Sequence, residues 1–80
     1  MEKSFLELLG EEKRALLDVE SSKESAVDFL NKAEMEVDPE MKEIQKKIAS
    51  DYKEMASQAE EKLLKIRKEI KQYISFLEAL

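Results

Sequence analysis

Glu20, Glu24 and Asp28 are spaced four residues apart, so a helix would stack their carboxylates in one column. Divalent cations of the hard type bind sets of oxygens, which makes this column the chain's nearest approach to a metal site. Bundles that hold two metal ions typically add Glu-x-x-His pairs, and this chain contains no histidine. The same absence removes the usual general base, the serine and cysteine triads, and the common zinc and iron ligands. There is no cysteine either, hence no thiol nucleophile, zinc ribbon or disulfide framework. The column therefore reads as a solvated face, or as partners for Lys46, Lys47 and Lys53 across a helix pair. A carboxylate-metal bundle enzyme is kept as an alternative only.

Lys62, Lys65, Arg67, Lys68 and Lys71 form the one basic cluster. On a helix these positions wrap around the axis, and Glu60, Glu61 and Glu69 interrupt them. Nucleic-acid sites need a basic surplus and several phosphate contacts along one surface. A small helical nucleic-acid-binding bundle is thus the second alternative. A single glycine cannot build a phosphate loop, a dinucleotide fingerprint or a calcium loop. No residue is assigned a catalytic, cofactor-binding or metal-binding role, and no cofactor is expected.

What the residues do specify is helices. Apolar residues are 42% of the 80 and charged residues 41%, with one Gly and one Pro. That mixture belongs to surface-rich helices and is common in coiled coils. No apolar run approaches the ~20 residues that cross a bilayer, and the N-terminus is too acidic and short for a secretory signal. No membrane partner is expected, and a cytoplasmic location is the default.

Val37-Asp38-Pro39-Glu40 is the clear punctuation. Asp38 suits a helix N-cap and Pro39 the first helical position, where its missing N–H costs nothing. The spacing predicts one domain over 1–80, with a helix over about 4–36, a turn at 37–38 and a helix over about 39–79. Ser4 with Glu7 fits a capping box at the first start. Gly10 falls inside the first helix as a soft spot, costing up to ~1 kcal/mol relative to Ala.

In the second helix, Met41, Ile44, Ile48, Tyr52, Met55, Ala59, Leu63, Ile66, Ile70, Ile74 and Leu77 follow a 3-4-4 spacing. This eleven-residue repeat predicts a stripe on one face of a nearly straight helix about 60 Å long. In the first helix, Ala15, Val19, Ser22, Ala26, Leu30, Ala33 and Val37 form the complementary face, widened by Leu16, Val27 and Phe29. Its small residues predict a close approach of the two backbones. Folding at residue 38 sets Val19 near Ala59, Tyr52 near Glu24 and Ser25, and Glu12 near Lys65.

The polar run Gly10 to Arg14 then faces Leu63, Leu64 and Ile66, which leaves those residues uncovered. The Phe5, Leu8 and Leu9 cluster meets Tyr73, Phe76 and Leu77 at the end far from the turn. Together with Ile70, these residues are the expected protein interface. Charge is also uneven: residues 1–40 carry five basic and twelve acidic side chains (-7), residues 41–80 nine and seven (+2). Complementary helices side by side are expected from this. The expectation is an all-α antiparallel two-helix hairpin that dimerises into a four-helix bundle. It acts as a non-enzymatic adaptor, small chaperone or spacer, with itself and another helical protein as partners.

Overall fold

A computed structural model describes residues 3–80. Two helices account for nearly all of them: α1, Phe5–Met35, and α2, Pro39–Glu78. No strand occurs among the described residues, and none of their helices is long and apolar enough to cross a membrane. The two lie side by side in an antiparallel hairpin measuring 63 × 17 × 13 Å.

The ends of the helices follow from local chemistry. Ser4 Oγ accepts the Glu7 amide at 3.1 Å, which is half of the capping-box exchange. Asp38 Oδ1 accepts the Glu40 amide at 3.1 Å, and Pro39 occupies the first turn of α2. Between them, Glu36 folds its carboxylate back to accept the Val37 and Asp38 amides, each at 3.1 Å. That side chain supplies what a turn glycine would otherwise provide. Gly10 sits in unbroken α1, with open space where a Cβ would project.

The seam between the helices repeats every seven residues. In α1 it runs through Phe5, Leu8, Glu12, Ala15, Val19, Ser22, Ala26, Phe29, Ala33 and Glu36, all buried or half-buried. In α2 it runs through Lys42, Gln45, Ala49, Tyr52, Ala56, Ala59, Leu63, Ile66, Ile70 and Tyr73, again all buried or half-buried. Alternating 3-4 steps of this kind keep one narrow edge of each helix against its neighbour. Ala15, Val19, Ser22, Ala26 and Ala33 take the places expected of them. Val37 lies fully in the open, because the seam continues through Phe29 and Glu36.

The eleven-residue stripe is corrected by this seam. Ala59, Leu63, Ile66 and Ile70 belong to both patterns and are packed inside or against the core. Met41, Ile44, Met55, Ile74 and Leu77 are exposed. An eleven-residue repeat drifts slowly across a seven-residue one. The apolar stripe therefore starts on one flank of the seam near the turn, crosses it at Ala59 to Ile70, and leaves on the other flank at Ile74.

Pairing across the seam differs from the expected register by up to about a turn. Arg67 Nε donates to Glu12 Oε2 at 3.1 Å, where Lys65 was expected. Tyr52 stacks on Phe29, with ring centroids 5.8 Å apart. Phe5 and Tyr73 pack at 5.3 Å and close the far end. Lys32 lies 4.7 Å over the Phe29 ring, a cation on an aromatic face.

Candidate interaction surface

Six of the residues expected to form an interface are used by the hairpin itself. Leu8, Leu63, Ile66 and Ile70 are buried together with Ala15 and Val19, while Phe5 and Tyr73 pack against that cluster. The expectation that Leu63 and Ile66 stay uncovered is thus corrected. The seven-residue register turns the Gly10 to Arg14 stretch so that Leu8, Ala15 and Val19 reach them, with Lys13 and Arg14 exposed and Glu12 at the seam held by Arg67. Leu9, Leu64, Phe76 and Leu77 are exposed.

A slender hairpin leaves two long flanks beside its seam, and each has apolar content. One is marked by a groove of about 310 Å³ lined by Lys23, Ala26, Val27, Leu30, Lys53, Ala56, Ser57 and Glu60. Because the seam repeats every seven residues, side chains at multiples of seven share a flank. Leu9 and Leu16 stand fourteen and seven before Lys23. Leu6 stands twenty-one before Val27, Leu64 seven after Ser57, and Ile74 fourteen after Glu60. These residues therefore continue the groove toward the open end, and all are exposed. This is the leucine flank.

The opposite flank holds a groove of about 450 Å³ lined by residues including Asp18, Ser21, Tyr52, Met55, Gln58 and Lys62. Ile48 and Met41 precede Met55 by seven and fourteen, and Ile44 precedes Gln58 by fourteen. On this methionine flank the apolar residues come almost wholly from α2, near the turn.

Both grooves are open clefts between parallel rods, without an enclosed chamber for a small molecule. No family model, curated protein or solved structure matches this chain. Its chemistry must accordingly be read from the side chains alone.

Among the described residues, no three acidic side chains gather in a way that could hold a metal ion. Glu20, Glu24 and Asp28 all face solvent. Of the lysines suggested as their partners, Lys46 approaches Glu43 of its own helix at 3.7 Å. Cross-helix ion pairs join Lys23 to Glu60 at 2.8 Å and Arg67 to Glu12 at 3.1 Å. With both partners substantially exposed, each contributes between nothing and about 1 kcal/mol. Lys3 is held above the ordinary lysine range, chiefly by its hydrogen bond to Glu11. All five members of the Lys62 to Lys71 basic cluster are exposed, at different angles around α2.

Only part of this surface was visible beforehand. The expected interface includes Leu9 and Leu64 but not Leu6. Leu16 and Val27 were read as broadening the core face. The signal that finds them is a second 3-4 stripe on α1: Leu6, Leu9, Lys13, Leu16, Glu20, Lys23, Val27, Leu30 and Glu34. A helix with one such stripe has one neighbour, and a helix with two has a place for another.

Proposed function

We infer that this chain is a non-enzymatic helical assembly module, which works in the cytoplasm by associating with itself and by binding protein helices. The observation that carries this reading is the amount of large apolar surface outside the seam. Leu6, Leu64, Met41, Ile44, Met55 and Phe76 each keep at least two-fifths of their surface accessible, on a body only 17 Å by 13 Å in section. Scattered exposed apolar residues are ordinary, but here they recur along two defined stripes. A coiled-coil hairpin joined to a second one as a four-helix bundle would cover them and add a second layer of core. Adaptor, small chaperone and structural spacer are the roles that such surfaces serve.

Self-association makes the melting temperature depend on protein concentration, because the assembled form alone is stabilised by mass action. The expected result is a rise in Tm between about 1 and 100 μM protein, followed by circular dichroism. A Tm that stays constant over this range contradicts the self-association on which the reading rests.

A further inference from the structure

We propose that the leucine flank is the seat of a second copy of this chain, stacked with both turns at the same end. The inference rests on the assembly reading above and assigns its face and its geometry. Three observations argue for this occupant.

The first is level. The Phe5–Tyr73 and Glu12–Arg67 contacts fix which residues of α1 and α2 stand at equal heights. They set Leu6 within about two residues of the level of Ile74, and Leu16 within about two of Leu64. A two-fold axis parallel to the helices lays α1 of one copy over α2 of the other, antiparallel and at the same height. Leu16 then meets Leu64 of the other copy, and Leu6 and Leu9 meet its Ile74.

The second is charge. The acidic excess of residues 1–40 and the basic excess of residues 41–80 are not resolved within the hairpin. Of the two cross-helix ion pairs among the described residues, one joins a lysine of α1 to a glutamate of α2, against that asymmetry. The stack places α1 over α2 in both directions. Glu34 comes level with Lys46 of the other copy, whose own contact with Glu43 is long at 3.7 Å. Lys23 and Glu60 of both copies form an alternating set of four charges. Two like-charge approaches result, Lys13 toward Arg67 and Glu20 toward Glu60; Glu12 already answers Arg67 at 3.1 Å. The alternative two-fold, perpendicular to the helices, sets Glu20 on Glu20 and Lys53 on Arg67, and it pairs Leu6 with Glu34. Both arrangements carry like-charge contacts, and the one with turns together is selected by its apolar pairing of Leu6 with Ile74 and Leu16 with Leu64.

The third is area. A face 63 Å long and 17 Å wide offers at most about 1,000 Å² per copy, room for the roughly 800 Å² per partner of a standard stable interface. The methionine flank lacks the paired levels: apart from Met35 its apolar residues lie on α2, facing Asp18, Ser21 and Ser25 of α1.

The experiment is a distance between two identical labels. The chain has no cysteine, so Val37→Cys gives a single spin-label site at the fully exposed turn. With turns together, pulsed EPR should find the two labels within about 30 Å, given helix axes 8–10 Å apart. A distance near the full length of the hairpin overturns the geometry while leaving self-association intact. Two solvent-exposed substitutions locate the face. Leu64→Lys should weaken the dimer about tenfold or more by placing a charge in the apolar contact, while Met55→Lys leaves it unchanged. The opposite ranking moves the dimer to the methionine flank and overturns the proposal. Lys13→Glu should tighten the dimer; a weaker dimer contradicts the assigned stacking. A label that shows no dipolar coupling at any concentration removes the self-association reading as well.

Discussion

The two halves of this hairpin share one seam and build it from different material. Toward the open end, Leu8, Val19, Leu63, Ile66 and Ile70 fill the space between the helices. Toward the turn the buried positions are Ala26, Ala33, Ala49 and Ala56, each at 4% exposure or less. Alanine lets two backbones approach closely and removes little apolar area from water, so burial per residue is smaller there. The missing bulk stands outside the seam, at Met41, Ile44, Val27 and Met55. Equal burial of a position thus does not mean equal stabilisation by it. The open half is held by its own core, and the turn half by close backbone packing, the Phe29–Tyr52 stack and the Glu36 and Asp38 caps.

Truncation in the open half should have the largest effect. Ile66→Ala removes packed atoms from the core and is expected to cost about 2–5 kcal/mol, read by urea denaturation at fixed protein concentration. A loss no greater than that of an exposed residue would mean that this half is not the core. Enlargement in the turn half tests the other side of the contrast. Ala56→Leu forces apart helices that alanine holds close, at an expected cost of about 1–3 kcal/mol. If it stabilises the fold, the turn half has room to spare and the two halves do not differ as described.

Two smaller effects sharpen the contrast. Gln45 lies in the seam near the turn with its side-chain oxygen buried and unpartnered. Replacing it with Leu removes that unmet acceptor, and should raise stability by about 1 kcal/mol. Gly10→Ala places a methyl in open space on a continuous helix, and should add up to about 1 kcal/mol. Its gain belongs to backbone propensity, and so should appear unchanged in a variant that cannot dimerise.

The turn, both caps and both helix lengths were legible because local residues determine them: Ser4, Asp38 and Pro39 act on amides within a few positions. The small-residue face of α1 was legible for a related reason, since Ala15, Ser22, Ala26 and Ala33 have few other uses at that spacing. The seam of α2 was not. Large apolar residues dominate any reading of periodicity, and they drew the stripe through Met41, Ile44 and Met55. Where backbones approach closely, Ala49 and Ala56 are the buried positions, and they carry almost no hydrophobic signal. The same mistake in phase left Leu63 and Ile66 uncovered on paper, and it assigned Leu16 and Val27 to the core. Part of the candidate surface is therefore displaced by one heptad position, while Leu9 and Leu64 are exposed.

The central claim is that the stripes outside the seam exist to be covered by another chain, first by a second copy. Absolute mass in solution, from light scattering on a size-exclusion column at about 100 μM, tests it most directly. The account predicts a particle of twice the 9.3 kDa chain. A folded species of 9.3 kDa at that concentration would contradict it.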